Sequence, residues 1–343
     1  MNNLFFHYLI ILVVLFAGMA VYFRIARHYH IIDKPNERSS HNYITIRGGG
    51  IVFWLAGILV ALMNLPESFY FMAGLTLLCG VSFWDDISSL SGKVRIVAHF
   101  LSISLAFYGL GLYLIFPIWM IAIAYVLFIG VLNAFNFMDG INGITGCYSL
   151  IILTCLQYVN YQVVSFTAPD FINYAILACL VFLFFNFRKR AKCFAGDVGS
   201  MAVAFWIVFL LLQLMMATGS FVWILFLSVY GVDSVVTILH RIYLKQNIFE
   251  AHRLHFYQIL SNEYRMSHLK VSVLYATIQL MVCVAVIYVY KTQLMDFAWL
   301  FVLSLFPLFI IYSLKFRLMK SALKNIENNN PGSSSNLKTR NHA

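Results

Sequence analysis

The sequence predicts an all-α polytopic membrane protein of about eleven transmembrane helices. Three observations carry this. Hydrophobic residues make up 62% of the 343 and charged residues only 10%, against roughly 25% charged in an ordinary soluble domain. The apolar stretches run unbroken for about the 20 residues a membrane helix needs, instead of alternating as barrel strands do. All the Lys and Arg except Lys291 collect in alternate loops and in the tail, as the positive-inside rule demands. A soluble enzyme, a disordered chain and a disulfide scaffold are thereby excluded.

The elements follow in order. The apolar run 4–23 is preceded by no basic residue and followed by Arg24 and Arg27, so it reads as a span and not as a signal peptide. Runs 51–64 and 68–84 meet at Leu65-Pro66-Glu67 and read as a helical hairpin. Runs 96–114, 117–134, 144–160, 171–187, 199–217, 220–240, 270–290 and 297–314 complete the set. This arrangement puts the termini on opposite sides. The basic loops 24–50, 85–95, 188–198 and 241–269 and the tail define one face; Glu67, Asp170 and Asp296 mark the other. The N-terminus is expected outside and the C-terminus in the cytoplasm. Residues 1–314 form the membrane domain. The tail 315–343 begins with a basic stretch, Lys315 to Lys324, expected at the membrane surface. It ends in an Asn/Ser-rich segment expected to be disordered. The six cysteines form no C-x-x-C pair and read as packing residues.

Polar patches on the basic face carry the chemistry. Asp85-Asp86 ends an apolar helix; the pair either binds a divalent cation or merely caps a loop. Asp197, in a Gly-flanked turn, is a further candidate ligand. Residues 133–143 hold Asn133, Asn136, Asp139 and Asn142; such groups hydrogen-bond a nucleotide or form an Asx-rich turn capping the next helix. Gly48-Gly49-Gly50 beside Arg47 offers either backbone N–H groups to a phosphate or a close helix contact. His252 and His255 flank Arg253 and suit a phosphate better than zinc, with a plain surface loop as the alternative. Asp233 lies inside an apolar run and is a functional candidate by default, or a structural partner of His240 or Arg241.

These patches, in this order, resemble the polyprenyl-phosphate N-acetylhexosamine-1-phosphate transferases, the family that includes phospho-MurNAc-pentapeptide translocase. The resemblance covers about residues 30–260. It rests on Asp85-Asp86, on Asn136-Phe137-Met138-Asp139-Gly140-x-x-Gly143, on Gly196-Asp197-x-Gly199-Ser200 and on His252-Arg253-x-His255-x-Tyr257-Gln258. The last looks like the O-antigen-initiating branch. The resemblance implies transfer of an amino-sugar 1-phosphate from a UDP-sugar to undecaprenyl phosphate, releasing UMP. It implies Mg²⁺, with Mn²⁺ as the alternative, a bacterial inner membrane, a cytoplasmic active site and a homodimer, and no nucleic-acid partner. By position it implies catalytic Asp85, Asp86 and Asp139. Substrate contacts fall to Arg47, Lys93, Asn136, Asn142, Asn186, Phe194, His252, Arg253 and His255, and metal binding to Asp86 and Asp197. Asn142 stands where the family usually has Asp, and Ile44 and Ile46 replace prolines in the first loop.

Charge supports that reading. Two unit charges 4 Å apart repel by about 4 kcal/mol at an effective dielectric of 20, so a diphosphate and a lipid phosphate need cations between them. Arg47, Lys93, Arg188 and the His loop are expected to help the metal supply them. The lipid phosphate is already ionised, which favours direct attack, with one carboxylate of Asp85-Asp86 orienting the acceptor. The rival is a secondary transporter, which calls for carboxylates deep inside the spans; only Asp233 comes close. Asn142→Asp is expected to be tolerated, since a carboxylate accepts a nucleotide N–H more strongly than an amide.

Overall fold

A computed structural model of the chain describes residues 2–33, 43–63, 68–247 and 253–329. Every apolar run of the sequence falls on a helix. In chain order these are α1 (Asn2–His28), α2 (Ile51–Ala61), α3 (Ser68–Ile87), α4 (Gly92–Gly109), the short α5 (Leu112–Ile115), α6 (Ile118–Met138), α7 (Ile144–Gln162), α8 (Pro169–Asn186) and α9 (Gly196–Thr218). A 3₁₀ segment, Phe221–Leu227, leads into α10 (Ser228–Tyr243). The three-residue α11 (Phe256–Gln258), α12 (His268–Thr292) and α13 (Phe297–Asn329) follow. The only strands among the described residues are β1 (Ile32–Asp33) and β2 (Thr45–Ile46), an antiparallel pair.

Among the described residues, seven helical stretches are long and apolar enough to cross a membrane. Four more runs expected to span fall short. Helix α2 is too short. Helices α3, α4 and α7 carry Asp85 and Asp86, Lys93 and Arg95, and Gln157 and Asn160 respectively, which lower their hydropathy below that of a lipid-facing span. These helices pack among others instead: α3 lies against α4 and α9, and α7 against α8 and α12. The protein is a multi-pass, all-α membrane protein.

Helix α9 is the axis of the bundle. It is apolar on nearly every face and most of its residues are buried, as a helix hydrophobic all round should be. It packs against α2, α3, α6 and α7. Its N-terminus meets the C-terminal ends of α3, α6 and α8, so the polar loops gather at one end of the molecule.

Helix α13 corrects one expectation. Lys315 does not lie at a surface with the basic stretch but is fully buried, its Nζ donating to Thr237 Oγ1 at 2.8 Å. The helix itself runs on to Asn329. Residues 330–343, expected to be disordered, lie outside the described residues, as does the hairpin junction 64–67.

Candidate active site

The site is built on the start of α9. Gly196 has φ +72° and enters the helix in the left-handed region, where glycine carries no steric penalty. A Cβ there would also lie 2.5 Å from Asp86 Oδ2. That carboxylate caps the helix: Asp86 accepts the Asp197 N–H at 2.9 Å and the Val198 N–H at 3.1 Å, satisfying orphan donors at the positive end of the dipole. Arg47 closes the unit, its Nε 2.7 Å from Asp86 Oδ1 and its Nη2 3.5 Å from Asp197 Oδ1. Burial opposes the charge on Arg47, but Asp86, Asp197 and Asp33 outweigh it and hold the guanidinium more firmly protonated than usual.

The triple glycine serves close packing. Gly49 and Gly50 donate their N–H groups to the carbonyls of Phe194 and Ala195 at 2.8 and 3.0 Å, so neither faces a phosphate. A Cβ on Gly50 would stand 2.1 Å from the Gly199 Cα. Ile46, in place of a family proline, supplies the carbonyl that accepts the Phe194 N–H at 2.8 Å. The strand pair and the 193–196 loop are thereby stitched together.

The 139–143 turn is held by two asparagines. Asn186 accepts the Gly143 N–H at 2.6 Å and donates to the Cys193 carbonyl at 2.8 Å. Asn142 is almost wholly buried and donates its amide to the Arg188 carbonyl at 2.8 Å, the Tyr43 hydroxyl at 3.2 Å and the Lys189 carbonyl at 3.4 Å. Its backbone N–H donates to His268 Nδ1 at 3.4 Å. The donor character of Asn142, which a carboxylate lacks, is what the fold uses. The expected tolerance of Asn142→Asp is therefore reversed.

Between these elements lies a cleft of about 270 Å³ lined by polar groups. It brings together Arg47, Asn136, Asp139, Asn142, Asn186, Phe194 and Asp197, all singled out from the sequence. Desolvation, reinforced by the charge of Asp86, pushes the Asp139 carboxyl up to about 7. Asp86 reaches this site only through Arg47 and the α9 N-terminus. Asp85 turns aside, accepting the Leu90 N–H at 2.6 Å and Arg95 Nη1 at 3.3 Å, though it also approaches Asp197. Lys93 and Arg253 are exposed and line no part of the cleft. Arg188 folds back over the Phe184 ring. His252 lies outside the described residues.

His255 differs most from expectation. It is buried, caps α11, and places Nδ1 3.4 Å from Asp233 Oδ1. It does not line the cleft; Gln258, one turn on, does. Asp233, expected beside His240 or Arg241, instead meets residues of α11 and α12. Asp33 and Ser200, which belong to polar patches of the sequence but carry no assigned role there, also line the cleft, and so does His268, which sequence reasoning missed. His268 opens a helix after a Ser267 N-cap, a start signal visible in the sequence, but nothing there joins it to residue 142.

The donor set suits a divalent cation. Asp139 and Asp197 face the cleft, Asp86 is their charged neighbour, and Arg47 is the cation bonded to this group. Among the described residues no group of three or more His, Cys, Asp or Glu side chains forms a ready metal cage. Mg²⁺ needs none, since it takes one or two carboxylates and completes its shell with substrate phosphates and water. Asp139 and Asp197 are its available ligands. Asp86, expected as a ligand, already has both oxygens engaged by Arg47 and backbone N–H groups.

Fold and cleft together define a multi-pass helical membrane protein with a polar, carboxylate-lined cleft at one end of its bundle. The glycosyl transferase family 4 model matches residues 68–215, which include Asp85, Asp86, Asp139, Asn142, Asn186 and Asp197. The chain is 28% identical over 257 residues to a probable undecaprenyl-phosphate N-acetylglucosaminyl 1-phosphate transferase of Bacillus subtilis, covering 69% of this chain and 71% of that one. It is 28% identical over 210 residues to the undecaprenyl-phosphate alpha-N-acetylglucosaminyl 1-phosphate transferase of Yersinia pestis, covering 55% and 57%. A decaprenyl-phosphate N-acetylglucosaminephosphotransferase of Mycobacterium leprae is 26% identical over 215 residues, covering 52% and 53%. The match thus spans little more than half the length of the last two relatives. Over these stretches the chain is similar to glycosyl transferase family 4 and to polyprenyl-phosphate N-acetylglucosamine 1-phosphate transferases.

Proposed function

We propose that this protein transfers an N-acetylhexosamine 1-phosphate from a UDP-sugar to undecaprenyl phosphate at the cytoplasmic face of a bacterial inner membrane. The product, a lipid-diphosphate sugar, would initiate O-antigen or another surface polysaccharide. An acceptor phosphate oxygen attacks the β-phosphorus of the donor. A new P–O bond forms there, the bond to the α,β-bridging oxygen breaks, and UMP leaves with that electron pair. The observation carrying this reading is the convergence of Asp139 and Asp197 on one cleft beside Arg47.

The residues divide the work. The acceptor is mostly dianionic near neutral pH, with a second pKa of about 6, so no strong base is required. Asp139, which lines the cleft, orients the acceptor and takes a residual proton. Arg47 bears on the diphosphate. Asn136 and Phe194 offer an amide and a ring to the nucleotide. When bound, Mg²⁺ held by Asp139 and Asp197 would neutralise charge on the phosphates.

UMP release decides the matter. Membranes carrying the protein are assayed with a panel of UDP-N-acetylamino sugars, with and without undecaprenyl phosphate. Lipid-dependent UMP release in the wild type, abolished by Asp197→Asn with folding intact, is the expected result. Solute flux independent of the lipid would favour a transporter instead.

A further inference from the structure

Asp233 is fully buried on α10 and gathers four elements. Its Oδ1 accepts the Phe256 backbone N–H at 3.0 Å and the Thr237 hydroxyl at 3.2 Å, and lies 3.4 Å from His255 Nδ1. Its Oδ2 accepts the Tyr275 hydroxyl of α12 at 2.7 Å. Lys315 of α13, equally buried, donates to Thr237 Oγ1 at 2.8 Å and so is linked to Asp233 through that hydroxyl, which in turn donates to Asp233 Oδ1. None of these groups lines the cleft.

What the cluster holds is α11. Three residues cannot sustain a helix by themselves, so outside contacts must fix this one. Asp233 binds its first N–H. Tyr257, the second residue, donates its hydroxyl to the Phe137 carbonyl at 2.9 Å, two residues before Asp139. Its hydroxyl also fills the place a Cβ on Gly140 would take, 2.1 Å away. Gln258, the third, lines the cleft. Its Oε1 accepts the His255 N–H at 3.2 Å, and its amide bonds toward the Tyr257 hydroxyl, so Tyr257 and Gln258 are set as one unit at the cleft.

We infer that Asp233, tied to α13 through Thr237 and Lys315, is the positioning residue that sets Gln258 and Tyr257 against the substrate cleft. The last helix of the chain is thereby part of the working site, although it contributes no side chain to the cleft lining. The inference rests on the transferase reading for its catalytic consequence and on the described contacts for its geometry.

The test uses the full chain in detergent and follows donor KM, kcat and amide hydrogen exchange at 256–258. Asp233→Ala should raise the donor KM about tenfold, leave kcat within about threefold and speed exchange in this segment. In a Gln258→Ala background the same change should add less than about twofold, because residues acting through one another are not additive. Asp233→Asn combined with Lys315→Met keeps an acceptor for the Phe256 N–H and leaves no buried charge unpaired. It should return KM to within about threefold of wild type, since unpaired burial is the costly state. Full additivity with Gln258→Ala, or a double variant as impaired as Asp233→Ala, would overturn the inference. If the wild type transfers from no UDP-sugar, the functional reading fails on its own. Exchange at 256–258 then decides the positioning claim: unchanged protection in Asp233→Ala overturns it, and lost protection upholds it.

Discussion

At the scale of single residues, the fold reads donors and acceptors rather than residue classes. Asn142 shows this. From the sequence it was an amide where an acid is usual, and an amide and an acid both bind a nucleotide edge. The structure uses its two amide hydrogens on the carbonyls of Arg188 and Lys189. Asn142→Asp would turn an acceptor toward those oxygens, at a cost of about 1–3 kcal/mol for the unsatisfied buried groups. We expect a KM for the UDP-sugar at least about tenfold higher, about 1.4 kcal/mol. Unchanged kinetics would remove the hydrogen-bond argument. Asp139 gives a pH test with two opposite signs. Its carboxyl, raised from 3.8 to about 7, keeps its proton in the folded state over a range where the unfolded chain has lost it. Linkage then makes this group's contribution to stability fall as pH rises from about 4 to about 7. Activity, which needs the ionised form, should rise through the upper part of that window. Asp139→Asn should flatten the stability slope and remove the activity. A bound divalent cation should move the activity midpoint to lower pH, which a titration at several Mg²⁺ concentrations measures.

At the scale of elements, the contacts between helix ends decide the site. The helices themselves were legible, because bilayer thickness imposes one length and one polarity on each span. The polar insertions in α3, α4 and α7 did not hide them. How their ends meet was not legible. The sequence offered Gly48-Gly49-Gly50 as a phosphate cradle or a packing strip, and only the approach of α2 to α9 separates the two. That approach is backbone against backbone, so it cannot yield as a flexible side chain would. Gly50→Ala should force α2 away from the α9 N-terminus and cost more than about 2 kcal/mol of stability, the range of overpacking. Gly80→Ala, with open space around its Cβ, is the control and should be near neutral. Comparable thermal stability of the two variants would contradict the packing role. Asp86 belongs to the same scale. The sequence points to a metal ligand here, because two adjacent carboxylates at a membrane edge need a cation. The cation Asp86 found is Arg47, together with the positive end of α9. Asp86→Asn should therefore loosen the α3 to α9 joint and lower thermal stability even without divalent metal. Asp197→Asn should leave metal-free stability nearly unchanged.

At the scale of the whole molecule, the basic residues have two uses, and the structure separates them. Lys189, Arg190 and Lys192 are exposed around the loop that precedes α9, where the positive-inside rule would use them. Arg47 serves the cleft, and Lys315 is neither a surface charge nor a cleft residue but a buried partner of Asp233. Sequence counting treated these as one population because it sees charge without depth. The cluster around Asp233 was illegible for the same reason, its members coming from α10, α11, α12 and α13. The arrangement still makes one global prediction. The ends of α3, α6, α8 and α9 that build the cleft are flanked by the basic loops. Asp170, bonded to Tyr8 at the start of α1, lies at the opposite ends of α1 and α8. If the positive-inside rule governs this chain, a single cysteine introduced at Lys189 should react with a membrane-impermeant maleimide only after the membrane is opened. A cysteine at Gln293, in the turn between α12 and α13, should react from outside in intact cells. Since α12 begins at the cleft with His268, these two labels place the active site on the cytoplasmic side. Labelling of Lys189→Cys in intact cells would invert the topology. A UDP-sugar donor made in the cytoplasm would then have no access to Asp139 and Asp197, and the proposed transfer would fail with it.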